Sequence, residues 1–209
     1  QCMVLPVGGS GAGAVVATNQ VSALKVVNAA IDAGTIDGFV DGTKFVDDIP
    51  YAVATAYLFQ TTGAHTLTFE ATSTAGAAIA SLQRTLESTS DISVLVVGFP
   101  GAVQAIAFAD DNIVPLAGEC RVRFVNASSD NAAYDVYVGD TKQVSALAAR
   151  TASEYVTLVP ATYTFTFRDP VSGATVLTLA DQAIGEGRVA TFYAAGAVGQ
   201  LSSIASTDR

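Results

Sequence analysis

Shifted by 98 positions, the 209-residue sequence overlays itself. Val27-Asn28-Ala29 meets Val125-Asn126-Ala127, Asp32 meets Asp130, and Asp37 meets Asp135. Phe39-Val40 meets Tyr137-Val138, Thr43-Lys44 meets Thr141-Lys142, and Tyr57 meets Tyr155. Thr66, Thr68 and Phe69 meet Thr164, Thr166 and Phe167. Gly98 and Gly101 meet Gly196 and Gly199, and Asp110 meets Asp208. The offset never changes, so no insertion or deletion separates the halves. A fixed register over that length means one structural unit built twice. The organisation reads as a tail (residues 1–20), a first repeat (21–111), a connector holding Pro115 and Gly118 (112–119), and a second repeat (120–209). Each repeat is long enough to bury a core of its own.

The local pattern is β throughout. Apolar residues alternate in Tyr134-Asp135-Val136-Tyr137-Val138, and threonine alternates with aromatics in Tyr163-Thr164-Phe165-Thr166-Phe167. A period of two marks half-buried strands. The unbroken apolar run of residues 94–97 suits a strand buried in the core. Residues 77–86 are ambiguous by spacing, but their counterpart 175–184 is β-branched and alternating, so both are read as strands. Asp41-Gly42 and Gly139-Asp140 stand where hairpins turn. Short strands with regular turns predict two tandem antiparallel sandwiches, immunoglobulin-like or transthyretin-like, with about seven strands each.

Composition narrows the function classes. Charged residues make up 14% of the chain, against about 25% in an ordinary domain, and Lys25, Lys44 and Lys142 are the only lysines. A net charge of −9 opposes binding to phosphate backbones, so nucleic acid is excluded as a partner. No apolar run approaches the roughly 18–20 residues of a membrane span. The sequence starts Gln1-Cys2-Met3 and reads as a mature chain whose leader has been removed. The expected location is therefore extracellular or at the cell surface. In that compartment two cysteines favour a disulfide, Cys2 with Cys120, within one chain or between neighbours.

Catalytic chemistry is poorly supplied, and no catalytic residue or cofactor is expected. The one histidine, His65, aligns with Tyr163, which reads as a strand side chain rather than a base. No serine has a nucleophile-elbow motif around it, and one histidine with two distant cysteines does not make a zinc site. Asp110, Asp111 and Asn112, with Glu119 at the far end of the connector, are weak candidates for calcium, because they offer hard oxygen ligands at a domain junction. Asp47 with Asp48, and Asp32 with Asp37, form other acidic groups, which turn formation also explains. Alternation places most of Tyr57, Phe69, Tyr155 and Phe167 in cores. Asn126-Ala127-Ser128 matches a glycosylation sequon.

The second repeat opens Arg121-Val122-Arg123-Phe124-Val125-Asn126-Ala127-Ser128-Ser129-Asp130-Asn131-Ala132-Ala133-Tyr134-Asp135-Val136-Tyr137-Val138. This resembles a widespread bacterial and archaeal extracellular domain family of unknown function, whose repeats open like R-V-V-H-A-S-P-D-A-P-A-V-D-V-Y-V. Leu158-Val159-Pro160-Ala161-Thr162-Tyr163 resembles that family's L-P-A-G-T-Y turn. Asn126 stands where the family has histidine, and Ser129 and Ala132 where it has prolines. The resemblance implies tandem sandwiches on an exported protein, and no activity.

The tail lies outside both repeats. Met3, Leu5 and Val7 form a short apolar run interrupted by Pro6, residues 8–13 are all Gly, Ser and Ala, and Val15 and Val16 follow. Such a segment can add as a strand to a neighbour's open sheet edge, which would join subunits into a homopolymer. The functional expectation is a non-enzymatic surface filament, sheath or adhesion subunit. The runner-up is a monomeric cell-surface or secreted binding module for carbohydrate or protein.

Overall fold

The structure, a computed structural model, describes residues 20–130 and 132–208. The assembly residues Met3, Leu5, Val7, Val15 and Val16 lie outside the described residues. The first repeat holds β1 (Val21–Ala30), β2 (Ile36–Val40), β3 (Thr43–Ile49), β4 (Val53–Ala54), β5 (Leu58–Thr61), β6 (Gly63–Ala71), β7 (Ala78–Leu86), β8 (Asp91–Gly98) and β9 (Gln104–Asp110). The second holds β10 (Cys120–Ser128), β11 (Tyr134–Val138), β12 (Thr141–Leu147), β13 (Thr151–Ala152), β14 (Val156–Leu158), β15 (Ala161–Arg168), β16 (Thr175–Ile184), β17 (Val189–Ala197) and β18 (Gln200–Thr207). The 98-residue offset thus reappears as matched strands. Nine strands per repeat replace the expected seven, two of them being short pieces that share the edge beside β1 and β10. Ala78–Leu86 and Thr175–Ile184 are strands, as the β-branched, alternating pattern of the second implied for both. Among the described residues no helix is long and apolar enough to cross a membrane.

Each repeat is a sandwich of two sheets. In the first, β1 lies between β8 and the short strands β4 and β5, with β9 beyond β8, and this sheet faces β3-β2-β6-β7. The second follows the same plan, with β10 and β17 central in one sheet and β12-β11-β15-β16 opposite. Leu24, Val26, Leu67, Phe69, Val94 and Val96 fill the first core. Phe124, Phe165 and Phe192 stand in the second core where Val26, Leu67 and Val94 stand in the first, and Phe124 meets Phe165 edge-on at 5.2 Å. Two of the four sheets are mixed rather than purely antiparallel. Strand β1 runs parallel to β8 with Val26 opposite Val94, and β10 runs parallel to β17 with Phe124 opposite Phe192.

Turn chemistry follows the sequence closely. Asp41 and Gly42 both have positive φ, 49° and 80°, as a two-residue type I′ hairpin requires. At Gly98 (φ 139°) an added Cβ would stand 2.5 Å from the Ala102 carbonyl oxygen, and at Gly196 it would meet the Gln200 carbonyl oxygen at the same distance. Both positions therefore demand glycine.

A buried asparagine brackets the start of each repeat. The Asn28 amide donates to the Gly34 and Ile49 carbonyls at 3.0 and 2.9 Å, and its oxygen accepts from Ala30 N–H at 3.1 Å. Asn126 does the same with Ala132, Leu147 and Ser128. Both side chains are sealed from solvent. The Asn126 sequon is therefore closed to a glycosyl transferase in the folded protein, because its amide nitrogen is already bonded to two carbonyls. Asn126→Ala leaves buried carbonyls and an N–H without partners, and should cost on the order of 3 kcal/mol in chemical denaturation. Asn126→Asp should not rescue it, since the two amide donors are lost.

Candidate functional site

The repeats do not hang as beads on a linker. Along β1, Leu24 and Val26 face the first core, so Lys25, Val27 and Ala29 face the other way. The same alternation turns Leu95 and Val97 of β8, Val125 and Ala127 of β10, and Tyr193 and Ala195 of β17 outward from their own sandwiches. These outward residues, with Ile204, close on each other as a third buried cluster between the repeats. The molecule is thus four sheets deep. Its two middle sheets are buried on both faces, which is why β8 reads as a continuous apolar run.

A polar centre lies within this junction. Lys25, 1% exposed, forms an ion pair with Asp208 of the other repeat and donates to Ser206 at 3.0 Å. Arg123, 2% exposed, pairs with Asp110 of the first repeat at 2.5 Å. Lys25 and Arg123 are equivalent under the 98-residue shift, as are Asp110 and Asp208. The contacts are therefore reciprocal, as in an isologous dimer interface. Matching hydroxyls complete each carboxylate: Ser93 donates to Asp110 at 2.6 Å, and Thr191 to Asp208 at 2.5 Å. The Tyr57 ring lies under Lys25 at 4.7 Å, and the Tyr155 ring under Arg123 at 4.9 Å. Of the four aromatics that alternation places mostly in cores, Phe69 and Phe167 are there. Tyr57 and Tyr155 stand at the junction instead. Burial raises the pKa of both phenols, so they remain neutral.

The calcium candidates are drawn into this arrangement. Asp110 accepts from Arg123, Ser93 and the Tyr57 hydroxyl. Asp111 pairs with Arg121 at 2.8 Å, and Asn112 donates to Tyr57 and Asp91. The Glu119 backbone carbonyl accepts from Gly187 N–H. The cations facing Asp110 and Asp111 are therefore the protein's own arginines. Asp37, Asp47 and Asp48 bring carboxylate oxygens within 4.8 Å of one another. Lys44 occupies the cation position there, bonding Asp37 at 2.9 Å and Asp47 at 2.7 Å. Asp37 also accepts from Asp48 N–H at 2.8 Å, where a bulge holds Asp48 at φ 49°. Asp135, Lys142 and Ala146 repeat the motif. Asp130 likewise accepts from Ala132 and Val198 N–H groups, so these recurrent carboxylates hold backbone, as turn formation suggests.

Cys120 is a fully buried free thiol whose sulfur donates to the Leu158 carbonyl at 3.4 Å, and burial pushes its pKa up. Its expected disulfide partner, Cys2, lies outside the described residues. His65 bonds Asp41 at 2.7 Å and the Thr61 carbonyl at 3.0 Å. Tyr163 donates to the equivalent Val159 carbonyl at 2.7 Å, so the two rings do the same structural work.

One open feature differs between the repeats. A groove of about 520 Å³ runs between the edges of β3 and β5, lined by Val40, Phe45, Leu58 and Phe59 together with polar residues that include Lys44, Gln60 and His65. Phe59 is 75% exposed. The second repeat has Gln143 in place of Phe45 and Thr157 in place of Phe59.

Two outcomes follow from the charge pairs. Lys25→Met leaves a buried carboxylate without its cation and should cost about 3–5 kcal/mol in denaturant unfolding. Lys25→Met with Asp208→Leu should cost clearly less than the sum of the two singles. The second concerns acid. The Asp48 N–H and then Lys44 hold Asp37 below its ordinary value of 3.8, and Lys142 followed by the Ala146 N–H lowers Asp135. Their folded pKa values lie below the unfolded ones, so the stabilisation is complete above that range and is lost as pH falls through the depressed values. Urea midpoints of Asp37→Asn/Asp135→Asn should fall less steeply than wild type below about pH 4.

No curated protein matches this chain. A family model described as a domain of unknown function (DUF4397) matches residues 22–133 and again residues 122–209, the first match running into the opening of the second repeat. Together the matches cover both sandwiches, and the chain belongs to this family.

Proposed function

We propose that the protein is a non-enzymatic structural subunit of an extracellular filament, sheath or adhesive assembly, joined through its N-terminal segment. The observation that carries this reading is the buried junction. Two repeats on an open linker would flex, since interdomain motion is the default unless the interface is large and apolar. Here an apolar cluster and two buried ion pairs fuse them into one stiff block. Stiffness suits a part that transmits load or sets a repeat distance. All three lysines of the chain are held in ion pairs within the block. The uncharged tail of residues 1–20 remains as the segment through which a neighbour is engaged.

A second reading, a monomeric surface module binding carbohydrate or protein, draws support from the exposed Phe59 and its groove. Negative-stain electron microscopy with sedimentation velocity separates the two. The full chain should form ordered polymers whose growth depends on concentration, and Leu5→Asp/Val7→Asp should abolish them. Compact particles that sediment as monomers at every concentration would overturn the structural reading.

A further inference from the structure

We propose that the β3–β5 groove of the first repeat receives the apolar N-terminal segment, residues 3–7, of a second copy, added as a strand along the outer edge of β5. This rests on the assembly reading and names its acceptor. Strand β5 pairs with β1 along one side, and among the described residues no strand pairs with its other side. An unpaired edge beside apolar side chains is the acceptor that strand addition needs: backbone groups supply affinity and pockets select side chains.

The comparison between repeats isolates this groove. Buried asparagine, hairpin carboxylate and junction ion pair recur at matching positions, so the fold requires them. Phe45 and Phe59 do not recur; the second repeat keeps the same strand order with Gln143 and Thr157 there. The fold therefore does not require an exposed phenylalanine at residue 59, and in this proposal its use is contact with the incoming segment.

Charge selects the occupant. Lys44 is neutralised by Asp37 and Asp47, and Asp41 bonds His65 and the Thr66 N–H. The charged groups lining the groove are thus paired among themselves, which leaves uncharged polar groups and the apolar faces of Leu58 and Phe59 to meet an incoming segment. Residues 1–20 contain no Asp, Glu, Lys, Arg or His, in a chain of net charge −9. Pro6 fits an edge position, where its missing N–H faces solvent rather than a ladder. The volume of about 520 Å³ lies in the range of ordinary binding pockets.

Reach favours a neighbour. The tail joins the fold at Gln20, whose carbonyl accepts from Thr62 N–H just past the end of β5. Because β1 and β5 are antiparallel with Val21 opposite Thr61, the chain enters from beyond that end. Filling its own groove requires a reversal. The thirteen residues between Val7 and Val21 extend up to about 45 Å, which is enough to cross to another molecule.

The test uses full-length chains and a fluorescein-labelled peptide of residues 1–16. Leu5→Asp/Val7→Asp serves as the chain with a disabled tail. That chain should bind the peptide, and adding Phe59→Thr should weaken binding at least about tenfold, while Thr157→Phe should not. Phe59→Thr alone should suppress polymer growth without moving the thermal midpoint, since the side chain is exposed. Polymers that persist in Phe59→Thr would overturn the groove and leave the assembly reading standing. A wild-type chain that stays monomeric and fails to bind peptide, beside a disabled-tail chain that binds it through Phe59, would place the tail in its own groove and overturn the second-copy occupant. Monomers with no peptide binding by any chain would overturn both readings.

Discussion

Two-sided burial of the central strand pairs governs this molecule. Strands β1 and β8, and their equivalents β10 and β17, each give one face to a sandwich core and the other to the junction. A strand buried on both faces has nowhere to place a charge without a partner. Lys25 and Arg123 sit in such strands, and each finds its counter-ion on the opposite repeat. A buried charge of this kind contributes little net stability against an apolar alternative, yet breaking it is costly. Its effect is to restrict the arrangement of the repeats: a slip along the apolar surface would strand four charges.

Reciprocity makes that restriction efficient. Because Lys25 and Arg123 are equivalent, as are Asp110 and Asp208, one evolved contact serves twice. The hydroxyls of Ser93 and Thr191 and the rings of Tyr57 and Tyr155 follow the same rule. The Asn28 and Asn126 brackets act one level below, tying each opening strand to its following loop so that the junction-facing residues keep their phase. Hairpin carboxylates Asp37 and Asp135 act lower still, holding one bulge apiece.

Much of this was legible in the sequence. The constant offset specified two matched units, alternation located the strands, and Asp41-Gly42 marked its turn. Strand direction was not legible, because an apolar run such as residues 94–97 is the same whether its neighbour is parallel or antiparallel. The junction was missed because each of its pairs joins different repeats, and nothing in either repeat alone shows which faces meet. Lys25 and Asp208 are 183 residues apart. Asp110, Asp111 and Asn112 looked like oxygen ligands for a cation, and two of them do face cations, supplied by Arg123 and Arg121. The overlooked signal was Lys25 itself, a charge between Leu24 and Val26 in a strand that is otherwise uncharged. Asn126 is the opposite case: its spelling matches a surface modification motif, and its placement makes it an internal fastening.

The reciprocal junction also determines what the outside of the molecule offers. With the two central sheets turned toward each other, the sheets containing β2 and β11 form the outermost layers, on opposite sides. The surface details that the repeats share on these outer sheets, including the turns that precede Lys44 and Lys142, are displayed twice, on opposite sides. A partner that recognises a shared feature meets a bivalent object able to bridge two copies of that partner, whereas one that reads the groove beside Phe59 meets a single site. The divergence between the two halves thus sets the valence of each contact the block can make.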